Sequence, residues 1–286
     1  MYTTLISTEE LAALAAGRPC VIVDCRFDLN DTAKGRLEYD RGHIPGAYHG
    51  GLEPDLSGPR TETSGRHPLP PVDVFLRTVA AWGVEPGVQV IAYDDKSGMW
   101  ASRLWWMLRL VGHDAVAVLD GGLAKWRAEG RPLDTVGPNA RNVAETPASL
   151  RADMQMSVTE LLGIVGQPGW RLVDARSAER FRGESEPIDR VAGHVPGAVN
   201  AHFGGNLTPD GTFRPAHELR AHWQAILGDT TADRCVCYCG SGVSACHNLL
   251  ALEQAGLPGA KLYVGSWSEW SRNPERPVET GPARNV

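Results

Sequence analysis

Short apolar runs alternate with segments of helical period along the whole chain. Residues 21–23, 88–93 and 115–119 are apolar stretches of strand length, and 234–238 is a fourth. They are β-leaning and lack the polar–apolar alternation of a half-buried strand, so they read as buried strands. Residues 71–82, 101–111 and 245–253 repeat their apolar positions at helical spacing. Strands alternating with helices predict an α/β layered fold with a mainly parallel central sheet flanked by helices. In such sheets ligand sites form at the carboxyl ends of the strands.

The pattern occurs twice. Val21-Ile22-Val23-Asp24-Cys25-Arg26 is answered by Arg171-Leu172-Val173-Asp174-Ala175-Arg176. Gly42-His43-Ile44-Pro45-Gly46-Ala47 returns as Gly193-His194-Val195-Pro196-Gly197-Ala198. Tyr93-Asp94 corresponds to Tyr238-Cys239, and Trp126 to Trp270. Four landmarks in one order, at an offset of about 150 residues, mark a duplicated domain and not a solenoid. We expect a first domain over 1–138, a linker over 139–148 and a second domain over 149–286. The linker carries Pro, Asn and Gly without periodicity.

The most informative stretch is Cys239-Gly240-Ser241-Gly242-Val243-Ser244-Ala245. It puts a cysteine at a strand end, in a glycine-containing loop facing the start of a helix. Main-chain N–H groups there stabilise a thiolate over a thiol, and the thiolate is the nucleophile. The first half has Asp94 at the matching position, which cannot carry sulfur. The frame persists while the chemistry changes, so Cys239 reads as a functional residue and the first half as its inactive partner.

Composition narrows the field. The 286 residues carry a formal charge of −6 with no long basic run, which disfavours nucleic acid and anionic membrane as partners. The N-terminal residues have no basic segment followed by an apolar one, and no apolar stretch is long enough to span a bilayer, so a soluble, cytoplasmic protein is expected. Cys20, Cys25, Cys235, Cys237, Cys239 and Cys246 do not make a secreted disulfide framework. Nor do they show paired zinc spacing, and all but Cys239 read as small buried hydrophobes.

These motifs resemble the rhodanese superfamily, in its tandem-domain sulfurtransferase branch. Residues His43 to Ala47 are similar to the family's N-terminal signature. Gly265-Ser266-Trp267-Ser268-Glu269-Trp270 is similar to its C-terminal one. Arg103-Leu104-Trp105-Trp106-Met107 and Leu119-Asp120-Gly121-Gly122 also match. The resemblance covers nearly the whole chain and implies two tandem rhodanese-like domains, the first without the cysteine. It implies that Cys239 takes sulfur from a donor as a persulfide and passes it to a cyanide or thiol acceptor such as thioredoxin or glutathione. No metal or organic cofactor is implied.

The resemblance also implies a donor and site residues. Members that prefer thiosulfate follow the cysteine with Arg and Lys. Members that prefer 3-mercaptopyruvate have Cys-Gly-Ser/Thr-Gly-Val-Thr, and this loop differs from that only by Ser244. Its lack of charge should weaken thiosulfate capture. The residues expected to cradle the persulfide run from Gly240 through Gly242, Val243 and Ser244 to Ala245. Ser241 and His67 match two members of the family's Ser–His–Asp relay, which supplies a proton to the leaving enolate. The acid falls at Glu53, with Asp55 two residues further on as the other choice. Arg180 matches a carboxylate-binding arginine. For a second, Arg190 is the nearest residue, though the segment 184–190 is short and the register fails. A solvated surface arginine is the other reading there.

Asp24, Arg26, Asp174, Arg176, His43 and His194 are expected to hold the frame, since each occurs in both halves. Trp105, Trp106, Trp267, Trp270, Tyr93 and Tyr238 read as packing residues. Three competing functions remain. A thiosulfate:cyanide sulfurtransferase would share the nucleophile. A phosphatase would need an arginine six residues after the cysteine, where Ala245 stands. A non-enzymatic binding or redox-sensing module is the third, and against it the resemblance implies that inactive rhodanese domains lose the cysteine that this chain keeps.

Overall fold

The computed structural model describes residues 1–17, 19–145 and 147–283. They form two compact units. The first comprises Met1–Gly58, Leu69–Arg151 and Thr208–Phe213. The second comprises Pro59–Pro68, Ala152–Leu207 and the chain from Arg214 onward. The described residues of 139–148 form neither helix nor strand.

In the first unit the strands are β1 (Leu5–Ile6), β2 (Cys20–Asp24), β3 (Ala47–His49), β4 (Gln89–Tyr93) and β5 (Val116–Leu119). The helices are α1 (Thr8–Gly17), α2 (Lys34–Arg41), α3 (Val72–Ala81), α4 (Ala101–Leu110) and α5 (Gly122–Ala128). The strands lie in the order β1-β5-β4-β2-β3, all parallel. β4 is buried along its length, as the unbroken apolar run of a central parallel strand requires. Along α4 only Arg109 is not buried, so that helix is a core element and not a surface one.

The second unit repeats the plan. Its strands are β6 (Gln155–Met156), β7 (Arg171–Asp174), β8 (Val199–Asn200), β9 (Cys235–Tyr238) and β10 (Lys261–Tyr263). Its helices are α6 (Val158–Ile164), α7 (Ala178–Arg182), α8 (Ala216–Leu227), α9 (Ser244–Gln254) and α10 (Ser266–Trp270). The order is β6-β10-β9-β7-β8, again parallel. β7 and β9 are neighbours from which the chain leaves toward opposite edges. Their carboxyl ends therefore flank the crevice where ligands of open α/β sheets bind.

The repeated polar residues are tied into each frame alike. Arg26 Nη2 reaches Asp24 Oδ2 at 2.6 Å and the Gly42 carbonyl at 2.9 Å. Arg176 Nη2 reaches Asp174 Oδ2 at 2.6 Å and the Gly193 carbonyl at 2.6 Å. His43 stacks on Tyr39 and meets the Tyr39 carbonyl, while His194 stacks on Phe181 and meets the Phe181 carbonyl. The tyrosines do more than fill space. Tyr93 donates to Asp24 Oδ2 at 2.7 Å and accepts the Ile44 N–H, and Tyr238 accepts the Val195 N–H.

Asp94, just after β4, is fully buried. Its Oδ1 accepts the N–H groups of Lys96 (2.7 Å) and Gly98 (2.9 Å), and its Oδ2 those of Trp100 (2.7 Å) and Ala101 (2.8 Å). Burial pushes its pKa up, and the four donors pull the other way. Asp94→Asn turns an NH2 toward two N–H donors. Chemical denaturation should show a loss of about 2–4 kcal/mol, from buried donors left unpaired. Unchanged stability would mean that these bonds carry no net weight.

Candidate active site

The loop 239–243 leaves β9 at the carboxyl edge of the second sheet and turns into α9. Its start is pinned by the first turn of α10. The Cys239 N–H donates to Ser266 Oγ (3.1 Å), and the Cys239 carbonyl accepts the Trp267 N–H (2.9 Å). The Gly240 carbonyl accepts the Ser268 N–H at 2.9 Å. Gly242 has φ +74° and lies so close to Val264 that a Cβ would stand 2.4 Å from its carbonyl oxygen. Only glycine fits both conditions. Val243 is buried, and Ser244 opens α9. Cys239 itself is only 2% exposed.

Two residues after the cysteine, Ser241 Oγ lies 2.8 Å from His67 Nδ1. Both side chains are buried. His67 arrives on the segment Pro59–Pro68, which belongs to the same unit as the loop. That segment is held by main-chain bonds. The Arg66 N–H donates to Ser268 Oγ (2.9 Å), and Arg272 Nη1 donates to the carbonyls of Thr61 and Glu62, both at 3.0 Å. Gly65 passes within 2.5 Å, measured from its ideal Cβ, of the Gly265 carbonyl oxygen. A side chain there would push the histidine segment away.

Charges alternate along one side of the site. Asp174 pairs with Arg176, and Arg176 Nη1 reaches Glu186 at 3.1 Å. Glu186 takes Arg180 through Oε1 at 2.7 Å and Oε2 at 3.1 Å. Asp189 joins Arg180 (3.4 Å) to Arg66 (2.7 Å). Burial alone would raise the Glu186 pKa. Arg180 and the N–H groups of Asp189 and Ile188 outweigh it and hold the carboxyl low. Three cations alternate with three carboxylates, so the array is close to neutral before any donor arrives.

The other residues singled out in the sequence lie as follows. Arg180 is in the middle of α7, its guanidinium within 4 Å of the place a Cβ on Gly240 would take. Arg190 is exposed and lines a cavity of about 760 Å³ together with Arg60, Arg66, Asp189 and Arg272. The arginine beside Gly240 along with Arg180 is instead Arg66, at 3.1 Å by the same measure. The loop, without charge of its own, thus has two guanidinium groups beside it, each paired with a carboxylate. Glu53 is exposed in the first unit, and Asp55 turns its carboxylate onto the Gly51 N–H at 2.7 Å. All six cysteines are free, and the hydrogen bond with Cys235, together with burial, drives the Cys237 pKa far up.

Sequence reasoning missed Arg66, Glu186 and Asp189. The only signal for Arg66 was its position next to His67. Nothing in a loop without periodicity fixes where such a side chain points.

Known proteins share this architecture and sequence. The model of the rhodanese-like domain matches residues 7–129 and again 157–273. A Pseudomonas aeruginosa protein provisionally named a 3-mercaptopyruvate sulfurtransferase is 46% identical over 280 residues, covering 97% of this chain and 98% of its own. A Mycobacterium tuberculosis protein provisionally named a thiosulfate sulfurtransferase is 42% identical, covering 98% of each chain. The crystal structure of SseA from Escherichia coli, titled as a 3-mercaptopyruvate sulfotransferase, superposes with a TM-score of 0.79 at 31% identity, covering 94% of this chain and all of that one.

Proposed function

We propose that this chain, which belongs to the rhodanese-like domain family, moves sulfur from 3-mercaptopyruvate to a thiol or cyanide through a persulfide on Cys239. The observation that carries the reading is the 2.8 Å contact between Ser241 and His67, two residues from the cysteine. The Cys239 thiolate attacks the donor's sulfur. The carbon–sulfur bond breaks, and its electron pair leaves on carbon as the enolate of pyruvate. Ser241, relayed by His67, supplies the proton that completes pyruvate. The acceptor's thiolate then attacks the outer sulfur and leaves Cys239 as thiolate again.

The duplicated frame shows what such a loop holds. In the first unit the matching loop closes four N–H groups on the carboxylate of Asp94. Gly240, Gly242, Val243 and Ser244 occupy the corresponding loop around Cys239. An anionic persulfide is what such a loop favours. Arg180 takes the donor's carboxylate. Glu53 stays the choice of acid for the relay, with Asp55, whose carboxylate accepts the Gly51 N–H, as the other. Arg190, exposed on the neighbouring cavity, acts at most on the donor's approach.

Among the described residues no helix is long and apolar enough to cross a membrane. Six free thiols fit a reducing, cytoplasmic setting, where a thioredoxin-like protein thiol is a natural acceptor. A second reading has its own support. Arg66 and Arg180 beside Gly240 suit thiosulfate too, and several similar proteins carry that name.

The deciding experiment is steady-state kcat/KM for both donors with cyanide as common acceptor. 3-Mercaptopyruvate should lead by about tenfold or more, or ~1.4 kcal/mol in the transition state. His67→Gln should lower kcat for 3-mercaptopyruvate far more than for thiosulfate, whose departing sulfite needs no proton on carbon. A lead for thiosulfate, or equal losses in the variant, would remove the assignment.

A further inference from the structure

The helix behind the cysteine loop is tied down by side chains that the reaction does not use. α9 buries every residue from Ala245 to Leu252, His247 and Asn248 among them. Both meet Asn206, the last residue of the short turn Phe203–Asn206, itself 1% exposed. Asn206 Nδ2 lies 2.8 Å from Asn248 Oδ1 and 3.2 Å from His247 Nδ1. Its Oδ1 accepts the indole N–H of Trp223, on α8, at 3.0 Å. Asn248 Nδ2 donates in turn to the Ala201 carbonyl at 2.9 Å, and the Ala201 N–H donates to the Asp174 carbonyl at 2.9 Å. The bonds therefore run without a break from α9 to the carboxyl end of β7. Each orientation along them is forced. An indole N–H only donates, so it faces the oxygen of Asn206. A carbonyl only accepts, so Ala201 faces the NH2 of Asn248. Asn206 is left with two hydrogens to give, and Asn248 Oδ1 and His247 Nδ1 take one each. His247 thus carries its proton on Nε2 and is neutral.

We propose that Asn206 is a positioning residue for the transfer: through His247 and Asn248 it fixes the rotation of α9, and with it the aim of the N–H groups at the sulfur of Cys239. This rests on Cys239 as the nucleophile, as proposed above. Apolar contacts have no direction, so a helix seated by Leu249, Leu250 and Ala251 alone can turn a little in its seat. Hydrogen bonds from two adjacent side chains to one fixed amide stop that turn. Setting register is the best-attested use of buried polar groups, and a network serves it when every member is bonded. The duplication supplies a comparison. α4, the matching helix of the first unit, has neither histidine nor asparagine. The network belongs to the half that carries the cysteine.

The test is alkylation of the full chain by iodoacetamide across pH, followed at Cys239 by peptide mass. Alkylation reads the thiolate and needs no donor. Asn206→Leu, close in size and without the bonds, should slow it at pH 7 about fivefold, the worth of a helix's first turn to an anion. At high pH, where parent and variant are both ionised, the rates should agree within about twofold. Turnover should follow, with kcat lower by a similar factor for both donors and KM within about twofold of the parent. His247→Leu should shift the pH profile the same way. His247→Asn puts an amide oxygen where Nδ1 stands and should bring the profile back to within about twofold of the parent. Leu161→Ala, a cavity at a fully buried position of α6, is the control. It should lower the thermal transition and leave the profile in place. A parent-like profile in Asn206→Leu would overturn the proposal, as would an equal shift in Leu161→Ala. If Asn206→Leu does not fold, the two His247 variants decide, and equal profiles for them overturn it. A parent with no label at Cys239 sinks the nucleophile and this proposal together, whereas a variant without a shift sinks the proposal alone.

Discussion

Cys239→Ser is expected to leave no measurable sulfur transfer from either donor, a loss of about a thousandfold or more. The reason is chemical and not structural. A hydroxyl at this position stays protonated at neutral pH and cannot hold a sulfane sulfur. The side chain is nearly isosteric, and the main-chain bonds to Ser266 and Trp267 that fix the position do not involve it. The fold should therefore persist. Other thiols do not stand in for it. Cys237 is buried in β9 with its pKa driven far up, and Cys246 points its sulfur at the Gly242 carbonyl at 3.4 Å. Two measurements check this. Turnover with cyanide should vanish. Intact mass after exposure to donor should show one added sulfur on the parent and none on the variant. Turnover above a few per cent of the parent, or an added sulfur on the variant, would move the nucleophile elsewhere.

Central strands were legible because both faces are buried and an apolar run is the result, as in residues 88–93 against β4. The edge strands β1, β6 and β8, of two residues each, left no such trace. Their pairing depends on neighbours far away in sequence. The cysteine loop was legible because a strand end, glycines and a helix start constrain one another locally. Ser241 and His67 could be named from the family pattern, but their meeting at 2.8 Å is a tertiary fact. Arg66 escaped for the same reason. Its direction is set by Ser268 and Asp189, which lie 202 and 123 residues further along the chain. The tyrosines show a milder version of this limit. Packing was readable for Tyr93, while its hydrogen bond to Asp24 was not.

Asp174→Asn should be the most damaging single change to the second unit's stability. Asp174 is fully buried and holds Arg176 by Nε and Nη2, with distances from 2.6 to 3.1 Å. An amide keeps the shape but removes the charge. Arg176, itself buried over the ring of Trp267 at 4.7 Å, then faces an uncompensated cost. Removing one partner of a buried pair costs about 3–5 kcal/mol. Glu186 keeps some hold on Arg176 at 3.1 Å, which argues for the lower end of that range. It also ties the damage to the site, because Glu186 positions Arg180. Donor KM should therefore rise along with the loss of stability. Denaturation followed by tryptophan emission measures the first effect and steady-state kinetics the second. The double variant Asp174→Asn with Arg176→Gln should lose less than the two single variants added together, because the second change removes the stranded charge. Additive losses, or a single-variant loss under about 1 kcal/mol, would show that the pair is not what holds this corner of the sheet.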